Sequence, residues 1–432
     1  MEQHKISLWT AILMNINIMV GVGIFFGPPM MAKNAGFSSF LGWPIVALIF
    51  IPVVLSIATI ARIFPGAGSF YSYSKNIINP TAGFMSGWTF FLGYTGVTAI
   101  MTIVLRDIVF ELLKSNFNFQ MSAILFNAIF IAAITALSMV GIQLVGRIQN
   151  IGTLFKLFPL LFVLAVFAFH WNPSFVITKP DFFNLPSAFP IAIFGYWGFE
   201  CCCAISHLIK GKKSNASTAI LSAFFITVVI YSLFHFGLLH MMGADNLVAH
   251  GSEDVVRFLN LPIPALKGIL FLSIKIAMVL AFINAVFSIF TANSSTLRTM
   301  AKEGLFPYSE KLTLMSKNHR PWVALLTQGV LTFIMTVLIT NKKHLISLTN
   351  IGLLISYFFT LVALTMIHKK DKNVLQLIIT GLAFVSLTIF TYFSWLDMGA
   401  TQLDRIIALS PLLVTFTMGM VMFFIQSNRR RI

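Results

Sequence analysis

Charge is scarce in this sequence. Only 10% of its 432 residues are charged, and acids are the rarer kind, with 13 Asp+Glu against 29 Lys+Arg. A soluble globular domain carries about 25% charged residues. With 58% hydrophobic residues, the chain has too little polar surface to cover a water-facing exterior. This excludes a soluble enzyme, a nucleic-acid-binding domain and a disordered chain. Cysteine is nearly absent. The three present are adjacent, Cys201, Cys202 and Cys203, in an apolar segment. They offer neither a disulfide framework nor a zinc spacing, and read as small polarizable packing residues. His207, His235 and His240 lack a metal-ligand spacing and read as core or interface histidines. Gly21-x-Gly23 is no dinucleotide fingerprint, because the strand-turn-helix context and the following acid are missing. No cofactor or metal is expected.

What is abundant is apolar sequence in long runs. A membrane-spanning helix needs about 20 mostly apolar residues. Twelve such spans are expected, at roughly 7–32, 38–63, 84–113, 121–141, 147–170, 186–209, 216–241, 265–300, 321–340, 345–368, 374–396 and 402–426. The N-terminal run lacks a small-residue cleavage site and continues through Gly and Pro, so it reads as the first span rather than a signal peptide. The fold class is therefore all-α and integral to a membrane, with the lipid bilayer as its solvent.

The net charge of +16 would suggest nucleic acid in a soluble protein. Here the basic residues sit in short segments between apolar runs. With the N-terminus placed inside, 18 Lys+Arg fall on the cytoplasmic side, 9 fall outside, and Lys156 and Lys275 lie within spans. Cytoplasmic loops are enriched in Lys and Arg. Both termini are thus expected in the cytoplasm, with no nucleic-acid partner.

Two spans carry signals of a helix break. The first reads Asn15 to Pro29 and holds Ile18, Gly21, Val22, Gly23 and Ile24. The sixth reads Phe194-Gly195-Tyr196-Trp197-Gly198-Phe199-Glu200. Paired glycines weaken a helix, although glycines also serve close helix packing in membranes. The two pairs lie five spans apart, as an inverted repeat of five plus five helices requires. Unwound segments in such folds expose half-helix N-termini, which attract a carboxylate. Exposed carbonyls beside them accept from an ammonium. Together these groups suit a zwitterion of amino-acid type. Tyr196 and Trp197 are candidates for lining its pocket; Trp88 reads as a packing or interface residue.

These residues resemble the amino acid-polyamine-organocation superfamily. Gly21-Val22-Gly23-Ile24-Phe25, then Pro28 and Ala35-Gly36, is similar to its first-helix signature. Trp43 through Arg62, then Pro65-Gly66-Ala67-Gly68-Ser69-Phe70-Tyr71, is similar to its second helix and following loop, with Ser69 in place of a family glycine. Gly198-Phe199-Glu200 resembles its sixth-helix Gly-x-Glu, and Arg298 through Pro307 its loop after the eighth helix. The resemblance implies a leucine-transporter-like 5+5 core, its repeats at 7–170 and 186–368, plus two extra helices at 374–426, in one domain. It also implies a permease for amino acids or related amines that works by alternating access. The expected location is the plasma membrane, a bacterial inner membrane. By position, the backbone at Gly21, Val22 and Gly23 would hold the substrate carboxylate. Carbonyls near Ile18 and Phe194 would take the amino group, and the Phe194 ring would close over it.

Among ionizable residues within spans, Glu200 is the deepest acid, with Asp107, Glu111 and Asp397 near span ends. A charged group at mid-depth is costly and marks a functional candidate. Glu200 has two readings: a proton-linked or gating carboxyl, or a structural acid that holds the break. Lys156 stands where sodium-independent relatives place an ammonium instead of a sodium ion; otherwise it snorkels to the interface. Lys275 either pairs with an acid or snorkels outward. The expected activity is sodium-independent transport, by proton symport or by exchange. A channel would show charge rings or a carbonyl filter. A membrane enzyme would need a catalytic cluster at depth. Neither stands out, and both remain alternatives. Monomer and homodimer are both open.

Overall fold

The computed structural model describes residues 7–64, 70–117, 121–140, 159–169, 182–201, 203, 209–212, 214–259 and 264–431. Among these residues the chain is helical and contains no β-strand. Helices α1 (Leu8–Met19), α2 (Val22–Ala35) and α3 (Gly42–Ile63) open the chain. Then come α4 (Phe70–Ile77), α5 (Pro80–Phe117), α6 (Ala123–Ser138), α7 (Pro159–Phe169) and α8 (Phe189–Tyr196). The second half holds α9 (Asn215–Met242), the short α10 (Ala244–His250), α11 (Pro264–Lys302) and α12 (Trp322–Leu338). Helices α13 (Lys342–Lys370), α14 (Val374–Asp397) and α15 (Gln402–Arg431) complete it. Six apolar stretches among the described residues are long enough to cross a bilayer, and Leu8–Met19, Ala123–Ser138, Pro159–Phe169, Leu185–Tyr196 and Trp322–Leu338 are shorter apolar helices.

Local chemistry sets several helix starts. The Ser7 hydroxyl accepts from the Thr10 N–H at 3.1 Å and opens α1. Asn79 accepts from the Ala82 N–H at 2.8 Å, ahead of Pro80 at the head of α5. Asn341 and Asn373 cap α13 and α14 in the same way.

Polarity is arranged for lipid rather than water. Leu375, Ile378, Leu382 and Val385 of α14 point outward and are exposed, as are Ile406, Ile407 and Val414 of α15. Inside, α5 buries Ser86, Thr89, Thr95, Thr98 and Thr102. Their hydroxyls donate to backbone carbonyls nearby, as buried polar groups must where no water reaches. Helices α5 and α13 pack together, and Ser86 and Ser356 meet across that interface at 3.2 Å.

Both expected breaks are present. Helix α1 stops at Met19, Val20 and Gly21 are non-helical, and α2 starts at Val22. Helix α8 stops at Tyr196, and Trp197 is extended with ψ of 137°. Residues 197–200 form a turn. Lys156, Cys202, His207 and the loop 65–69 lie outside the described residues.

Candidate functional site

The two breaks touch each other. A Cβ placed on Gly23 would lie 2.4 Å from the Cα of Gly195. No side chain larger than hydrogen fits there without moving backbone, so glycine at both positions lets the interrupted helices meet main chain to main chain. Gly198 has φ of +109°, which disfavours any residue with a Cβ. An added Cβ would also strike Ile18 at 2.4 Å. The glycines of the two segments are therefore fitted to each other across the break.

Side chains from other helices hold the broken ends. The Tyr231 hydroxyl donates to the carbonyl of Met19, the last residue of α1, at 2.5 Å. The Tyr196 hydroxyl donates to the Trp43 carbonyl at 2.8 Å. The Trp197 indole N–H donates to Asn350 Oδ1 at 2.7 Å, and the Asn350 amide donates back to the Pro190 carbonyl at 2.8 Å. One residue of α13 thus grips both α8 and the first residue of its interruption. The Trp43 indole in turn donates to His235, which is buried among these aromatics. The head of α2, by contrast, receives no side-chain cap at Gly21. A helix start left without a cap is a ready site for an anion. It faces Met101 of α5 and Ala285 of α11.

Glu200 sits just past the second break and is 2% exposed. A buried carboxyl needs donors. The Tyr94 hydroxyl of α5 donates to its Oε1, and the Gly198 N–H donates to its Oε2 at 3.1 Å. Glu200 thereby closes the turn that its own neighbour opens and ties it to α5.

Between the two breaks, α5 and α11 lies a cavity of about 70 Å³. Ile18, Phe90, Tyr94, Glu200, Ile289 and Asn293 are among the residues that line it, with Cys201 and Cys203 in the wall. Its surface is overwhelmingly apolar. A second cavity of about 230 Å³ lies between α2, α5, α11 and the segment after α10. Ion pairs surround it. Lys342 reaches Asp107 at 2.6 Å, and Lys275 reaches Glu111 at 2.8 Å and Asp254 at 3.6 Å. Arg257 meets Asp254 at 3.3 Å. In the segment after α10, burial pushes the Glu253 carboxyl up to about 7, and burial also raises Asp254 against the pull of Lys275 and Arg257.

Of the residues singled out from sequence, Ile18 and Glu200 line the central cavity. Gly21, Val22, Gly23 and Ile24 form the head of α2, and Phe194 lies buried in α8. Tyr196 and Trp197 are not among the residues that line the central cavity. Their polar atoms are spent on Trp43 and Asn350, because a buried hydroxyl or indole N–H must find a partner. Lys275 pairs with acids rather than snorkelling. Trp88 packs against α15, its N–H on the Thr415 carbonyl. Cys201 and Cys203 are wall residues as well as packing ones. Lys156 cannot be placed, since 141–158 fall outside the described residues. Sequence reasoning missed Tyr94, Asn293, Asn350 and Tyr231. Each lies among other buried polar residues of its helix, and depth in a span was the signal available for all four.

A family model described as amino acid permease matches residues 6–423. The serine/threonine exchanger SteT of Bacillus subtilis is 25% identical over 381 residues, covering 86% of this chain and 85% of that protein. An arginine/agmatine antiporter of Chlamydia felis is 26% identical over 388 residues, covering 83% and 77%. The branched-chain amino acid permease BcaP of Bacillus subtilis is 22% identical over 462 residues, covering 99% and 94%.

Proposed function

The chain belongs to the amino acid permease family, and from that premise we propose that it is a secondary carrier that moves amino acids by alternating access around the paired breaks. The contact of Gly23 with Gly195 carries this reading. Two interrupted helices meet main chain to main chain, the head of α2 is uncapped, and a buried cavity is lined by Ile18 before the first break and by Glu200 at the second. The substrate carboxylate would sit on the N–H groups at Gly21, Val22 and Gly23, where the dipole of α2 favours negative charge. Its ammonium would take carbonyls near Ile18 and Phe194. Rearrangement of the two segments would open the cavity to one side at a time.

The fuller architecture belongs to the same proposal. It comprises twelve spans, a five-plus-five inverted repeat ending near residue 368, two further helices, and both termini in the cytoplasm of a bacterial inner membrane. The order of apolar helices and the excess of basic residues on the side of the termini support it. Transport is proposed to be sodium-independent, with Lys156 in the place of a sodium ion and Glu200 as the coupling or gating carboxyl. The relatives are named for exchange and antiport as well as for permeation, so exchange and proton symport are both carried forward.

Purified protein in liposomes tests the reading. Saturable counterflow of a labelled amino acid, unchanged when sodium replaces potassium, is expected. Uptake that rises steeply with sodium would refute the role of Lys156. Single-channel openings would replace the carrier with a channel.

A further inference from the structure

The family does not fix the side chain of the substrate; the central cavity narrows it. Its lining is apolar apart from a few groups, most of which are already committed. Both carboxylate oxygens of Glu200 accept hydrogen bonds, from Tyr94 and from Gly198. The Tyr94 hydroxyl is spent on that contact. No Lys or Arg among the described residues lines the cavity. A guanidinium or a carboxylate on the substrate side chain would lose its hydration against Phe90, Ile289 and Ile18 with little in return.

Besides the Thr296 hydroxyl, which can donate as well as accept, one amide acceptor remains. Asn293 of α11 lines the cavity and is 3% exposed. Its amide N–H donates to the Phe91 carbonyl at 3.0 Å, which fixes the orientation of the carboxamide. The Oδ1 atom is therefore the free end, and it is buried without a hydrogen-bond partner. A buried acceptor left empty is costly, and a ligand that donates to it gains what an isostere without a donor cannot.

We infer that the carrier selects small neutral amino acids bearing a side-chain hydroxyl, and that Asn293 Oδ1 is the group that reads the hydroxyl. This rests on the carrier reading above. The Cβ branch and methyl of such a side chain meet the apolar wall, while its O–H donates to Asn293. Threonine and valine have nearly the same shape and differ in that donor, so they isolate the contact.

Counterflow in proteoliposomes tests it, with labelled threonine and, separately, labelled leucine, each challenged by unlabelled amino acids. The wild-type protein should be inhibited by threonine about tenfold more strongly than by valine, and by serine more strongly than by alanine. Arginine, lysine and glutamate should fail to compete. In Asn293→Leu the threonine-to-valine ratio should fall to about one, whatever the change in overall affinity. Valine matching threonine in the wild type would overturn the inference, with no variant needed. So would a preference that survives Asn293→Leu, equal loss of all amino acids in that variant, or competition by a charged amino acid. Leucine counterflow without threonine counterflow would sink the inference and leave the carrier intact. If none of the common amino acids exchanges, the carrier reading itself falls and this inference with it.

Discussion

Gly23 and Gly195 approach so closely that a single methyl on the first would sit 2.4 Å from the Cα of the second. The contact joins two helices that are each interrupted a few residues away. It makes the geometry of both breaks one property rather than two.

Gly23→Ala should therefore reduce transport at least tenfold. The added methyl must push main chain, and overpacking of this kind typically costs about 1–3 kcal/mol. Gly268→Ala is the control, because nothing lies within 4 Å of its Cβ position. It should leave transport unchanged and raise helix stability slightly. Gel filtration and counterflow on the same preparations separate loss of fold from loss of function. Full transport by Gly23→Ala would mean that the breaks move independently.

Glu200→Gln keeps the shape and removes the charge. It should weaken transport, or its dependence on pH, more than it weakens expression. Tyr94→Phe removes the hydroxyl that donates to Glu200. If the two act together, the double variant should lose little more than the worse single one. Uptake by Glu200→Gln that matches the wild type from pH 5 to 8 would take Glu200 out of the mechanism.

Lys275 is buried and joins α11 to Glu111 of α5 and to Asp254 of the segment after α10. Glu111→Lys places a like charge against it and should lower thermal stability in detergent. Glu111 is more than half exposed, so water screens the effect and the loss should be about 1 kcal/mol. Lys275→Glu combined with Glu111→Lys restores the attraction and should recover part of the loss. A double variant no better than the sum of the two singles would show that the pair contributes nothing.

Glu253 sets a dependence of stability on pH. Its carboxyl titrates at about 7 in the fold, because burial disfavours the charged form, whereas an unfolded glutamate ionizes near its ordinary lower value. Between those two values the folded state holds the extra proton. Stability from this group is then greatest at low pH and falls as pH rises through about 7. Glu253→Gln should flatten that fall, with melting temperatures of variant and wild type diverging by a few degrees toward pH 8. Parallel melting curves across pH 5 to 8 would contradict the assignment.

Much of the architecture was legible in the chain. Apolar runs marked the helices because a bilayer demands length and hydrophobicity that no loop supplies. Gly21 with Gly23, and Gly195 with Gly198, marked the breaks, because glycine weakens a helix wherever it stands. Glu200 announced itself as an acid at depth. Sequence could also say that Lys275 needed a partner, but not which one. Glu111 and Asp254 are brought to it only when α5, α11 and the segment after α10 assemble.

The rest depended on which face each helix presents, and an apolar span of uniform hydropathy does not reveal its facing. Tyr196 and Trp197 read as pocket residues in the sequence, and only the packing put their polar atoms on Trp43 and Asn350. Asn293 and Tyr94 were single polar residues among many, and only the packing of α11 and α5 set them against the cavity. Composition and glycine spacing act along the chain, and those the sequence determined alone. The partners that hold the breaks, Tyr94 with Glu200, Trp197 with Asn350 and Tyr231 with Met19, lie more than a hundred residues apart, so only the tertiary structure could decide them.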